Sequence, residues 1–150
     1  MPETALAQKL LADQKEAMKA KDKFRLSVIR MLRSELQNEA IAKNAPLDDR
    51  EELAVLTREV KRRKDALKDF ERSGRPDLVE SLNLEIEILG KYLPEQLSDR
   101  ELKKIVLEAI AESGATSRQE MGKVMSLLMP RIKGRADGNK VRQLVEEHLE

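Results

Sequence analysis

The sequence predicts an all-α protein: an N-terminal bundle of about four helices, two of them long, followed by a small three-helix tail. Apolar residues recur at three-four spacing in nearly every segment, and no segment sustains the alternation of a half-buried strand. Helix boundaries are marked by Asx or Ser caps with Glu three residues on, and by Gly or Pro at the stops. Of 150 residues, 38% are charged and 40% apolar, with only one Tyr and two Phe. That balance belongs to a charged helical chain with a core, too apolar and too periodic for disorder.

The first helix runs from about Thr4 to Lys21, with Leu6, Leu10, Ala17 and Met18 on one side. Asp22 caps a second helix that buries Phe24, Val28, Leu32 and Leu36 and fades near Lys43. "NAP" at 44–46 breaks it, because proline disfavours helix for the residue before it. Asp48 and Glu51 form a capping-box start. The third helix then places Leu53, Leu56, Val60, Leu67 and Phe70 along a heptad seam, in which Arg63 is the one position that is not apolar. "SGRP" at 73–76 stops it: Gly74 suits a left-handed cap and Pro76 the first turn of a fourth helix. That helix uses Leu78, Leu82, Ile86, Leu89 and Leu93, and Pro94 ends it.

A domain boundary falls at about residue 95, giving 1–95 and 96–150. Ser98 with Glu101 caps the fifth helix, 98–112, which Gly114 ends. Ser117 with Glu120 begins the sixth, to about 132, with Met121, Val124, Met125, Leu128 and Ile132 inward and Pro130 bending its last turn. The seventh, about 138–149, offers Val141, Leu144, Val145 and Leu149. Three short helices make a marginal core, so the tail is expected to fold only weakly alone or to lean on the first part.

Composition excludes several chemistries. There is no cysteine, hence no disulfide, thiolate metal site or cysteine nucleophile. The N-terminus has no long apolar run and carries Glu3, Asp13 and Glu16, so neither a signal peptide, a membrane span nor a targeting helix is expected, and the chain is read as cytoplasmic. The single histidine, His148, is read as a solvated helix-end residue, a poor place for a catalytic base. The serines lack a nucleophile-elbow context. Glu35 and Glu39 share a helix face, but the Glu-x-x-His pattern of a di-metal bundle is absent, and they are read as solvated charge. No catalytic residue, metal or cofactor is expected.

Net charge is only +1, yet charge is unevenly spread. Residues 19–33 carry six cations against Asp22, a local +5. Residues 58–75 carry eight against four acids, a local +4 that includes Arg58, Lys61, Arg62 and Lys64 as a secondary basic patch. Residues 118–142 carry seven against Glu120 and Asp137, again +5. Each run alone reads first as a solvated helix face. The third differs because it surrounds "KGRADG" (133–138). There Lys133 and Arg135 flank Gly134, and Asp137 starts a helix whose free N–H groups favour an anion. Gly134 and Gly138 let backbone approach a ligand closely. Phe24 and Phe70 are assigned to core faces, which leaves no stacking platform for single strands, so an RNA partner would be read by shape and backbone.

Four segments in order, "RLSVIRMLRSELQNEAI" (25–41), "REVKRRKDALKDFERSGRPDLV" (58–79), "EIEILGKYLPEQLSDREL" (85–102) and "MGKVMSLLMPRIKGRADGNKV" (121–141), strongly resemble the YqeY family. The tail is also similar to the C-terminal domain of GatB, a subunit of the amidotransferase that converts misacylated Glu-tRNA or Asp-tRNA to the amide. The resemblance implies an all-helical fold with a three-helix tail that holds tRNA. It implies RNA contacts at Gly122, Lys123, Lys133, Gly134, Arg135, Asp137, Gly138 and Lys140. It also attaches the label of a carbon–nitrogen ligase with glutamine as amido donor, although the chain lacks GatB's large catalytic portion.

Three readings stand. The first is a non-catalytic binder of tRNA or another folded RNA, accessory to amidation or translation through a partner protein. The second is a helical protein-interaction module using the third-helix seam and the Met-rich sixth helix. The third is a component of a glutamine-dependent ligase.

Overall fold

A computed structural model describes residues 3–150. Those residues form seven α-helices and one 3-10 turn with no strand, as the periodicity predicts. The chain divides into two compact units, Met1–Leu93 and Pro94–Glu150.

The first unit holds α1 (Ala5–Lys19), α2 (Lys23–Lys43), α3 (Asp49–Arg72) and α4 (Pro76–Gly90). Its caps are local and lie where the sequence places them. Asp22 accepts from the Arg25 N–H, and Asp48 and Glu51 close a reciprocal capping box. Asn44 ends α2 in the left-handed region at φ 61°, and Gly74 follows α3 at φ 69°. Nine apolar side chains are buried: Leu10, Ala17, Val28, Ile29, Leu32, Val55, Leu56, Val60 and Leu89.

Two inward assignments and one helix end in this unit need correction. Met18 is 52% exposed and Phe24 37% exposed; each lies within the last or first two residues of a helix at the α1–α2 turn. Helix α4 stops at Gly90, short of Pro94. The Lys91, Tyr92 and Leu93 N–H groups donate instead to carbonyls three residues back, a tightened last turn ahead of the proline-restricted residue.

The second unit holds α5 (Asp99–Ser113), a 3-10 turn (Arg118–Glu120), α6 (Met121–Ile132) and α7 (Gly138–Glu147). Ser98 and Glu101 make a full capping box, and Gly114 ends α5 at φ 72°. Ten apolar residues are buried, among them Leu102, Val106, Val124, Leu128, Ile132, Val141 and Val145. The sixth helix starts differently from expectation: Ser117 makes no cap bond to backbone, and a 3-10 turn precedes Met121. Pro130 sits inside α6, which continues to Ile132.

The end of the chain is tied down. The Glu150 N–H donates to the Thr116 carbonyl at 3.1 Å, and the Arg118 N–H donates to the Glu150 carbonyl at 2.9 Å. His148 is therefore held rather than frayed. It is half-buried, and its Nε2 is enclosed without a hydrogen-bond partner, which replaces the solvated histidine of the sequence reading.

Candidate nucleic-acid interface

The stretch Lys133–Gly138 links α6 to α7 within the second unit. Lys133 closes α6, its N–H donating to the Met129 carbonyl at 3.0 Å. Gly134 takes φ 76°, a left-handed turn that a side chain would strain. The Arg135 N–H then returns to the Ile132 carbonyl at 2.8 Å.

A strap from the start of the unit fixes this turn. The Gln96 amide donates to the Gly134 carbonyl at 2.7 Å and to the Pro94 carbonyl at 2.9 Å. The Leu97 N–H donates to the Arg135 carbonyl at 2.9 Å, and Arg135 Nε donates to the Glu95 carbonyl at 3.2 Å. Gly134 is buried by these contacts. Its glycine serves the turn and the strap.

The helix start is already served. Asp137 accepts from the Asn139 N–H at 2.9 Å, so a carboxylate occupies the position where an outside anion would meet the α7 amides. Gly138 opens α7 in open space: an added Cβ would meet nothing within 4 Å. Gly122, in the first turn of α6, is equally open.

Pairing thins the cluster that the sequence counts as +5. Lys140 pairs with Asp99, Arg131 with Glu112 at 2.5 Å, and Lys123 with Glu120 at 3.5 Å. Arg135 lies close enough to Glu101 to help lower that carboxyl's pKa, though the Ser98 hydrogen bonds are the larger cause. Among the described residues Lys133 makes no side-chain hydrogen bond or ion pair, and it is exposed. Arg142, on α7, is likewise exposed and, among the described residues, unpaired. Its signal was the cluster count alone, because it lies outside the glycine turn.

The eight tail residues do not form one patch at this turn. Lys133, Gly134, Arg135, Asp137, Gly138 and Lys140 follow one another through the α6–α7 link. Gly122 and Lys123 sit at the far end of α6, about 15 Å away along a helix rising 1.5 Å per residue.

The secondary patch lies on α3. Arg58 meets Glu39 at 3.4 Å, Glu35 at 3.9 Å and Glu59 at 4.0 Å, and Arg62 meets Glu59 at 3.1 Å. Glu35 and Glu39 are thus ion-pair partners across α2 and α3, where the sequence reading has them as solvated charge. Lys61 and Lys64 are exposed and, among the described residues, unpaired. Arg63, the odd position in the seam, bridges Glu59 at 3.7 Å and Glu85 at 3.8 Å, joining α3 to α4. Leu56 and Val60 of the same seam are buried inside the unit.

Among the described residues no three His, Asp or Glu side chains gather as metal ligands. Among the described residues no helix is long and apolar enough to cross a membrane.

Comparison with known proteins places the chain. Altered inheritance of mitochondria protein 41, mitochondrial, of Pyrenophora tritici-repentis is 28% identical over 149 residues, covering 97% of this chain and 82% of that protein. The protein of the same name from Candida glabrata is 39% identical over 88 residues, 57% of this chain and 48% of that protein. A subunit of the glutamyl-tRNA(Gln) amidotransferase of Sulfurisphaera tokodaii is 35% identical over 92 residues, which cover 53% of this chain and 14% of that protein. The family profile described as Yqey-like protein matches residues 7–149, and the chain belongs to the YqeY family.

Proposed function

We propose that this protein is a non-catalytic binder of tRNA or another structured RNA, working beside an amidotransferase or translation partner. In this reading residues 1–95 form a helical domain and 96–150 an RNA-facing tail. The observation that carries it is the strapped turn at Lys133–Arg135. It offers an exposed, unpaired Lys133 and a guanidinium held in place by backbone, on a rigid element. Likeness to a protein whose name includes glutamyl-tRNA(Gln) supplies the ligand class.

Contact in this reading comes from side chains on phosphates, since Asp137 occupies the α7 amides. Lys133 and Arg135 are the leading contacts, with Arg142 on α7 as a further exposed cation. Lys123, Lys61 and Lys64 add long-range attraction. Gly122 and Gly138 allow close approach without being needed by the fold. The protein acts in the cytoplasm, and the relatives named as mitochondrial are its counterparts in that organelle.

A salt-titrated binding assay with labelled tRNA tests this. Lys133→Glu/Arg135→Glu is expected to weaken binding at least tenfold and to lower the salt slope by about 2, one for each phosphate no longer neutralised. Gly138→Ala keeps the fold, so any loss of binding there reads ligand approach directly. Unchanged affinity in the double variant removes the site, and no wild-type binding at low salt removes the function.

A further inference from the structure

The first unit carries a second surface of opposite character, and it does not depend on the RNA reading. Between the end of α3 and the outer face of α4 lies an open groove of about 530 Å³. Its floor is apolar: Phe70, Pro76, Val79 and Leu84 line it, and Leu84 is 44% exposed. Gly74, at its mouth, takes φ 69° and faces open space.

The rim is acidic. Glu71, Glu80 and Glu87 line the groove, and among the described residues none makes an ion pair or side-chain hydrogen bond. Elsewhere in the same unit Glu35, Glu39, Glu51, Glu59 and Glu85 all face a Lys or Arg within 4 Å. The contrast follows from sequence: α4, PDLVESLNLEIEILG, contains no Lys or Arg. The groove's one cation, Arg75, lies 3.9 Å from Asp77. Glu80, Leu84 and Glu87 fall at i, i+4 and i+7, so one helix face alternates acid, leucine and acid over about 10 Å.

We propose that this groove docks an amphipathic helical segment of a partner protein, with leucine-like anchors at three-four spacing and Lys or Arg on its flanks. The anchors fill the Phe70–Leu84 floor, and the flanking cations meet the three carboxylates. That is the helix-in-groove mode of recognition, with specificity set by rim charge. The acidic rim repels RNA, so the two surfaces select different partners.

The test uses the full chain and fluorescein-labelled 16-residue synthetic peptides read by anisotropy. One peptide carries Leu at i, i+3, i+4 and i+7 with Lys and Arg flanks. A twin replaces every cation with Glu, and a third scrambles the leucine spacing. The basic peptide is expected to bind at least tenfold tighter than either twin. Leu84→Arg, at an exposed position where circular dichroism should report an unchanged fold, is expected to cost at least tenfold. Glu80→Gln/Glu87→Gln is expected to cost about fivefold at low salt and to flatten the salt dependence. Binding of tRNA should be unchanged in both variants. The proposal is overturned if the basic peptide fails to bind or binds no better than its acidic twin. It is overturned equally if both variants bind as wild type, or if sedimentation shows a dimer that Leu84→Arg dissolves, which would make a second copy the occupant.

Discussion

The two units solve the same packing problem with different materials. The tail buries ten side chains, all apolar, and keeps its charges at the surface. The first unit buries nine apolar side chains and two carboxylates, Glu52 and Glu59, which are 7% and 4% exposed. Glu59 sits under Arg58, Arg62 and Arg63. Glu52 accepts from the Thr4 hydroxyl at 2.8 Å while that hydroxyl accepts from the Ala7 N–H, so one threonine caps α1 and ties it to α3. Tyr92 donates to Asp13 at 2.5 Å under the Lys9 ammonium, a third polar tie in the same unit. A core of hydrocarbon tolerates any apolar residue of the right volume. A core holding ions fixes which helix meets which, because a misplaced partner leaves a buried charge alone.

The sharpest break of that contrast is Glu59→Ala. It leaves the largely buried Arg63 guanidinium with Glu85 as its one carboxylate, the residue-59 carbonyl still accepting from it, and the expected loss is about 3 kcal/mol in the first unit. Denaturant melts followed by hydrogen exchange report each unit separately. Glu59→Leu/Arg63→Leu should recover most of that loss, since an apolar pair of similar volume removes both desolvation costs. A double variant as unstable as the single one would show that the ions contribute more than their own pairing. In the tail, Leu128→Ala is expected to cost about 3 kcal/mol by cavity formation, with exchange in the first unit unchanged. Loss of protection in both units would show that they do not respond separately.

What the sequence discloses follows the range of each interaction. Caps at Asp22, Asp48 and Ser98 involve residues three apart, and each lies where its motif puts it. The inward stripes of α6 and α7 are legible because an all-apolar core obeys periodicity. Glu52 and Glu59 are not legible: they precede the seam positions Leu53 and Val60, and their charge argues for solvent. Glu52's partner Thr4 lies 48 positions away, and although the arginines around Glu59 are within four residues, their spacing reads equally as a solvated helix face. The candidate site divides the same way. Gly134 as a turn and Asp137 as a cap are local facts. The strap by Gln96 and Leu97, and the neutralisation of Lys140 by Asp99, join residues some forty positions apart, and no motif spans that distance.

The subtlest prediction concerns pH, and its sign differs between the units. In the first unit, burial raises the Glu52 carboxyl above the ordinary glutamate value of 4.5, with the Thr4 hydrogen bond opposing. A raised carboxyl binds its proton more tightly when folded, so Glu52 destabilises as pH rises through its range. Glu52→Gln keeps an oxygen for Thr4 and should therefore stabilise the first unit at pH 7, by less than either core variant costs, with no gain below pH 4.5. In the tail, the Ser98 hydrogen bonds hold Glu101 below 4.5, so its contribution is present above that value and fades as pH falls through the lowered one. Ser98→Ala should cost the tail about 1 kcal/mol at pH 7. It should cost less in acid, where the reciprocal bond is already weakened. Hydrogen exchange of both variants from pH 3 to 7 reads the two slopes in one experiment. Slopes of the same sign would mean that Glu52 is paired in solution by a cation, and that the ionic core of the first unit is more completely compensated than Thr4 alone provides.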